Sequence, residues 1–414
     1  MRPGAELSGS VVVQGAKNSA LKLMAATLLA EGEYTLHNVP RIADVEIMGD
    51  LLTSMGLAVH RAPGADGALV INRPADCVPE APYELVERMR ASIVVLGPLL
   101  GRFGRARVAL PGGDDFGTRP IDMHLSGLAQ MGAEFDVAHG VIEATCSQLC
   151  GAHVVLEFPS VGATENILMA AVLAKGTTVI DNAAREPEIA DLAAFLNRMG
   201  ATVLGAGTST VTVEGVTDLT PAEHVVIPDR IEAATYLAAV GLAGGEITVV
   251  GARPEHMDML IHKLADMGLR ISSTSDGLWA CRPGRLRSVD VSTLPYPGVA
   301  TDYKPLLVTL LSVADGVGIV TENLYGANRY TYVAELQRMG ADVTVADHHA
   351  VVRGVPRLSG APVKAHDIRA GAALVVAGLA ADGETVVSDA QHIDRGYEDI
   401  AGKLSSLGAD VRRA

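Results

Sequence analysis

The sequence predicts an α/β protein built from six repeated units of about 70 residues, gathered into two domains of three units each. Three observations predict it. A Leu-x-x-(Met/Leu)-Gly motif ends at Gly56, Gly132, Gly200, Gly268, Gly340 and Gly408, at spacings of 76, 68, 68, 72 and 68 residues. A second glycine closes an apolar run at Gly32, Gly104, Gly176, Gly245, Gly316 and Gly383, at spacings of 72, 72, 69, 71 and 67. Common helix ends could explain one copy of either landmark, but not two landmarks in step at six sites. The third observation is length. Single cores stop growing at about 250–300 residues, so 414 residues divide into two domains of three units more readily than they close one ring.

Each unit reads helix, strand, loop, helix, strand, strand. The first helix is apolar nearly all round, as in residues 167–174 and 372–381, and belongs in a core covered on every side. The second landmark glycine ends that helix and a strand follows. The second helix carries the first motif: its Leu and Met, three residues apart, form a buried stripe, and its Gly is a C-terminal cap. Alternating residues then mark strands, as in Ala201-Thr-Val-Leu-Gly205 and Ala341-Asp-Val-Thr-Val345.

Composition narrows the function. Hydrophobic residues make up 49% and charged residues 20%, which supplies core material and excludes disorder. Aromatics are 4%, so the cores rest on Ala, Val and Leu. With 33 Lys and Arg against 48 Asp and Glu the net charge is −15, a field that repels nucleic acid and anionic membranes. No apolar run reaches the ~18–20 residues of a membrane span, and no signal peptide is visible at the N-terminus. Four cysteines (Cys77, Cys146, Cys150 and Cys281) make no disulfide framework, and a cytoplasmic location is expected. Dinucleotide, P-loop and metal-ligand motifs are absent, so neither a metal nor an organic cofactor is expected.

The repeat also aligns chemistry. The starts of the six apolar helices carry Lys17, Arg90, Gly162, Arg230, Asp302 and Arg369, with Asn18, Ser92, Ser160, Thr164, Asp229, Thr301 and Asp367 beside them. An acid or hydroxyl at such a place caps the helix, whereas the helix dipole repels a cation. Salt bridging would explain one such cation. Four at equivalent positions predict anion binding. The loop after the next strand carries an arginine in every unit: Arg41, Arg119, Arg185, Arg253, Arg329 and Arg395. Arginine forks suit carboxylate and phosphate. The glycine-rich segment 111–120 predicts a lid around Arg119.

Several of these segments carry a resemblance: Gly15-Ala-Lys-Asn18, Arg90-Ala-Ser-Ile93, Pro111-Gly-Gly113, Arg119-Pro-Ile-Asp-Met-His124, Ser160-Val-Gly-Ala-Thr164, Asn182-Ala-Ala-Arg-Glu-Pro-Glu188, Asp229-Arg230, Thr301-Asp302, Asp367-Ile-Arg369 and His392-Ile-Asp-Arg-Gly396. Over nearly its whole length the chain resembles the UDP-N-acetylglucosamine 1-carboxyvinyltransferase group of the enolpyruvyl transferase family. The resemblance implies two inside-out α/β barrel domains. One would be residues 17–227 with the lid. The other would be 1–16 and 228–414, with the active site in the cleft between them. It implies transfer of the enolpyruvyl group of phosphoenolpyruvate to the 3-hydroxyl of UDP-N-acetylglucosamine with release of phosphate, the first committed step of peptidoglycan precursor synthesis. The partners implied are these small molecules alone, with no nucleic acid or membrane, and a monomer or weak homo-oligomer.

The resemblance also implies roles. Lys17, Arg119 and Arg395 would hold the phosphate, with Arg90 nearby. Arg329 and Arg369 would hold the carboxylate side. Asn18 and Asp302 would contact the sugar, with Asp302 the base for its hydroxyl. Arg119, Pro120, Ile121, Asp122, Met123, His124, Ser160, Val161 and Gly162 would line the uridyl pocket, and Leu324 and Asp367 complete the substrate-binding set. Asp114 stands where many members carry a reactive Cys. A carboxylic acid there can donate a proton but cannot form the thioether that fosfomycin needs, so resistance to that drug is expected. Three places depart from the usual pattern: Val299-Ala300 stand in place of Phe-Pro, residues 325–329 run one residue longer, and Phe158 replaces a Lys. The first two leave an enolpyruvyl transferase acting on another uridine nucleotide such as UMP as an alternative, and a non-catalytic UDP-sugar-binding paralogue is a second alternative from another class.

Overall fold

The apolar runs that the landmark glycines close are helices in the computed structural model, which describes all residues except 3, 5, 65–67, 113–119, 326 and 414. They are α1 (Lys17–Ala26), α2 (Leu96–Phe103), α3 (Val161–Ala171), α4 (Arg230–Ala243), α5 (Lys304–Leu311) and α6 (Ile368–Leu379). A 3-10 turn leads into two of them, Arg90–Val95 before α2 and Thr301–Tyr303 before α5. Every residue of α6 is buried, and all but one of α4, as helices apolar on every side require. All twelve landmark glycines take positive φ, from 66° at Gly104 to 123° at Gly32. A Cβ is strained there, so the motif has to be glycine.

Five of the units carry a four-stranded mixed sheet in one order. In the second unit it runs Glu80–Ala81, Arg105–Ala109, Val141–Thr145, Glu134–Ala138. The first pair is parallel and the other two are antiparallel. The sixth unit has two parallel pairs, Pro362–Lys364 with Val386–Ser388 and Leu358–Ser359 with Ala381–Asp382. Each sheet buries alternate residues, as where Val211 and Val213 face the core while Thr210 and Glu214 face solvent.

Two strands break the local rule. In the second, third, fifth and sixth units a strand that leads into the core helix pairs with a strand that follows it. β1 (Leu7–Val12) leads into α1, yet it pairs with β4 (Gly245–Val250) of the fourth unit, Leu7 opposite Gly245 through Val12 opposite Val250. β3 (Glu223–Val225) leads into α4, yet it pairs with β2 (Gly32–His37) of the first unit. The two edge strands are exchanged. The described chain accordingly divides into two compact units, 1–14 with 228–414, and 15–227.

Each unit has its own core. In 15–227, α2 packs on α3 and on the 3-10 turn Thr27–Leu29 that prolongs α1. In 1–14 with 228–414, α4, α5 and α6 pack on one another in all three pairs. The sheets cover these helices, and the buried side chains are chiefly Leu, Val, Ile and Ala. α2 approaches α3 at Gly97, where a Cβ would overlap the Asn166 carbonyl. Among the described residues no helix is long and apolar enough to cross a membrane.

Candidate active site

Three groups of the expected residues assemble on the starts of the core helices. The first is at α1. Its N-cap is Ala16, and no side chain caps it, so the first-turn amides are left for other partners. Lys17 occupies the first helical position, and its Nζ lies 2.7 Å from an Asp44 carboxylate oxygen. Asp44 is fully buried in the first turn of Ala43–Ser54. The start of α1 is also anchored from below. The buried Ser19 hydroxyl donates to Asp191, which binds His224 Nε2 at 2.8 Å and accepts from the Ile227 amide at 3.4 Å.

One turn on, Lys22 Nζ donates to the Asn18 carbonyl at 2.9 Å and lies 3.4 Å from Glu165, which is fully buried. Burial raises the Glu165 carboxyl to about 7. Lys22 opposes the rise, and Glu188 and Glu186 add to it. The folded state therefore holds a proton that the unfolded chain releases near pH 4.5. Glu165 contributes stability that is complete below pH 4.5 and is lost as the pH rises to about 7. Glu165→Gln is expected to flatten the fall of Tm across that window by a few degrees, measured as Tm against pH beside the wild type. An unchanged slope would remove this role.

The second group surrounds His124, on the helix Asp122–Gln130. Asn166 of α3 fixes it. Asn166 Oδ1 accepts the Gly97 amide at 2.7 Å, so its Nδ2 is the donor, to the Ile93 carbonyl at 3.0 Å and to His124 Nδ1 at 2.7 Å. Burial, with Arg90 adding to it, lowers His124 to about 4, so the ring is neutral at physiological pH. A neutral ring that accepts at Nδ1 carries its proton on Nε2. That edge faces the start of α3: a Cβ at Gly162 would lie 3.0 Å from Cε1 and 3.1 Å from Nε2. Ser160 caps α3, accepting from the Ala163 amide at 3.3 Å. Arg90 donates to the Pro120 carbonyl at 3.5 Å. Phe158, whose carbonyl accepts from the Ser160 amide, is 41% exposed. Arg90, Pro120, His124 and Ser160 with Val161 and Gly162 thus share one surface of the 15–227 unit.

The third group is charged. Asp302 sits in the 3-10 turn before α5, with Arg329 Nη2 at 3.0 Å from one carboxylate oxygen and Arg369 Nε at 3.4 Å from the other. Both arginines are buried and Asp302 is about a quarter exposed. Asp367 caps α6, accepting from the Arg369 and Ala370 amides at 2.8 and 2.9 Å. The Arg369 guanidinium lies 5.6 Å from the Tyr397 ring centre. Burial alone would weaken its hold on the proton, but Tyr397, Asp302 and Asp229 outweigh burial and raise it, so Arg369 stays charged. Arg230, the equivalent cation on α4, stands between the Tyr296 and Tyr303 rings at 5.6 and 5.8 Å, and Asp229 caps that helix. A carboxylate held open between two buried arginines can take a proton while the arginines take an anion.

Comparison with known proteins places the chain in a family. The family model for EPSP synthase (3-phosphoshikimate 1-carboxyvinyltransferase) matches residues 1–404. The chain belongs to this carboxyvinyltransferase family. Among curated family members it is 52% identical over 411 residues to the UDP-N-acetylglucosamine 1-carboxyvinyltransferase of Mycolicibacterium paratuberculosis, covering 99% of this chain and 97% of that one. To the protein of the same name from Myxococcus xanthus it is 49% identical over 413 residues, covering 100% and 98%. Of solved structures, the enolpyruvyl transferase NikO from Streptomyces tendae matches with a TM-score of 0.90 at 27% identity, covering 100% of this chain and 97% of that one. EPSP synthase from Acinetobacter baumannii matches in fold, with a TM-score of 0.76 at 18% identity, covering 100% of this chain and 98% of that one.

Within this carboxyvinyltransferase, Asp114 and Arg119 lie outside the described residues. Asn18 is half-buried beside Lys17, and Ile121, Asp122 and Met123 open the helix that carries His124. Arg395 is half-buried at the end of the short helix Gln391–Asp394. The amide of Leu324 is held at 2.9 Å by the Glu322 carboxylate. Sequence reasoning missed Asp44, Asn166, Lys304, Glu322 and Tyr397, which hold the expected residues in place. One signal was available: Lys304 is a charge at the head of an apolar helix, and a charge there requires a buried partner.

Proposed function

We propose that this chain transfers the enolpyruvyl group of phosphoenolpyruvate to the 3-hydroxyl of UDP-N-acetylglucosamine, releasing phosphate, and so catalyses the first committed step of peptidoglycan precursor synthesis in the cytoplasm. The observation that carries the reading is Asp302 between Arg329 and Arg369, in a chain about half identical to relatives of that name over nearly its whole length. On this reading each compact unit is one inside-out α/β barrel, which the buried helices under outer sheets support.

The reaction is an addition followed by an elimination. Asp302 takes the proton of the sugar 3-hydroxyl as its oxygen bonds to C2 of phosphoenolpyruvate. Asp114 delivers a proton to C3, giving a tetrahedral ketal. Loss of phosphate from C2 and of a proton from C3 then restores the double bond. Arg329 and Arg369 take the carboxylate. Lys17, Arg119 and Arg395, with Arg90, hold the phosphate and balance the charge that develops on it as it leaves. Asn18 contacts the sugar. The surface formed by Pro120, His124 and Ser160 to Gly162 takes the uridyl group, with the His124 Nε2–H as a fixed donor.

Phosphate release from phosphoenolpyruvate tests the reading, with UDP-N-acetylglucosamine, UMP or shikimate 3-phosphate as acceptor. Release is expected with UDP-N-acetylglucosamine. Release with UMP instead would transfer the chemistry to another acceptor, and no release with any of the three would leave a binding protein.

A further inference from the structure

Two charges in the 228–414 segment are completely buried, and the mechanism above does not use them. Lys304 opens α5 in an otherwise apolar sequence, and Glu322 follows the strand Val317–Thr321. Both are 0% exposed, and Lys304 Nζ lies 2.8 Å from a Glu322 oxygen. Two buried ions gain stability only if hydrogen bonds fill their remaining sites. Glu322 meets that condition on every side. One oxygen forms the ion pair with Lys304 and accepts from the Thr301 hydroxyl at 2.7 Å. The other accepts from the Thr293 hydroxyl at 2.8 Å, the Leu324 amide at 2.9 Å and the Tyr325 amide at 3.2 Å. Lys304 Nζ in turn lies 3.8 Å from the centre of the Tyr330 ring.

Four of these five groups come from the segments that carry the reacting pair, and the fifth, Thr293, follows the strand Val291–Ser292. Thr301 and Lys304 bracket the turn holding Asp302. The Leu324 and Tyr325 amides lead into the turn Ala327–Tyr330, which carries Arg329. Tyr325 also places its ring 5.2 Å from the Arg329 guanidinium. One carboxylate therefore binds side chains on both sides of Asp302 and backbone amides four and five residues before Arg329; the Asp302 and Arg329 side chains meet at 3.0 Å. We propose that Glu322 is a positioning residue that sets Asp302 against Arg329 for proton transfer. It acts through Thr301, Lys304 and the 324–325 amides, and does not touch substrate. Burial would raise the Glu322 carboxyl, but Lys304 and the hydroxyl and amide donors outweigh it and hold it below the usual range, so the gripping form is the carboxylate.

The proposal rests on the enolpyruvyl-transfer reading, and its test separates the two. Wild type, Glu322→Gln and the double variant Lys304→Met/Glu322→Gln are compared for kcat, KM for UDP-N-acetylglucosamine and Tm. Turnover is expressed per acceptor-binding site counted by calorimetry, so a partly folded variant remains informative. A carboxamide keeps the shape but offers one acceptor oxygen in place of two. Glu322→Gln is expected to lower kcat by about 10²-fold, the scale of a misplacement near 1 Å, with KM within about 3-fold of wild type. The double variant, with no buried charge, is expected to regain Tm and not kcat. Recovery of kcat together with Tm, or wild-type kcat in Glu322→Gln, overturns the positioning role while leaving the reaction intact. Absence of phosphate release in the wild type overturns the enolpyruvyl reading and this inference with it.

Discussion

Asp302→Ala is expected to lower turnover by about 10³-fold, inside the 10²–10⁴ range that a positioned general base supplies, while UDP-N-acetylglucosamine still binds. The expectation follows from geometry. Each Asp302 oxygen meets a different buried arginine, and the side chain is still a quarter exposed, so it can reach a substrate hydroxyl. Loss of the carboxylate removes the proton acceptor and the partner that aligns Arg329 and Arg369. Asp302→Asn separates these effects, because the carboxamide still accepts from one arginine but is not basic. Both variants should show the loss in kcat, with acceptor affinity by calorimetry within a few-fold of wild type. Unchanged turnover in Asp302→Asn would remove the role of base. Lost acceptor binding in both would make Asp302 a binding residue.

The wild-type enzyme is expected to keep full activity after prolonged incubation with fosfomycin, and Asp114→Cys to lose nearly all of it irreversibly. The drug is an epoxide that traps a thiolate as a stable thioether, and a carboxylate is a far weaker nucleophile. The chemistry of the proposed proton donor makes the same distinction, since a carboxylic acid and a thiol can each deliver a proton to C3. Asp114→Asn keeps the shape without the proton and should lower kcat by about 10²–10⁴-fold. Activity recovered after removal of the drug from Asp114→Cys, or a covalent adduct on the wild type by mass spectrometry, would contradict the assignment.

Much of the site was legible because the repeat makes positions comparable. Lys17, Arg90, Arg230 and Arg369 stand out when six helix starts are aligned, and each lies at or within one residue of the start of a core helix or its leading turn. Capping was legible for the same reason, and Ser160, Asp229 and Asp367 each accept first-turn amides. The supporting residues were not legible. Asp44, Glu165 and Glu322 look like any surface acid in sequence, and only the packing around them shows that they are buried. Asn166 carries no motif. Its three hydrogen bonds, to Gly97, Ile93 and His124, span 42 to 73 residues of sequence.

The sequence by itself determined the six units, the element order of the first five (in the sixth, no strand among the described residues follows the last helix, Ile400–Ser406), the helices that are buried on all sides and the cations at their starts. These are properties of one turn or one strand: a glycine at positive φ, an apolar period, a capping oxygen. No local pattern in the residues showed that β1 and β3 exchange sheets, which divides the described chain at 14–15 and 227–228; the family resemblance implied a division at 16–17 and 227–228, and tertiary packing makes the exchange. A short edge strand presents the same amides to any parallel partner, and its choice is made by packing more than 180 residues away. Tertiary structure alone also decided that Glu322 binds both segments of the reacting pair. A buried ion is stable only where its donors converge, and that convergence exists only in the folded chain.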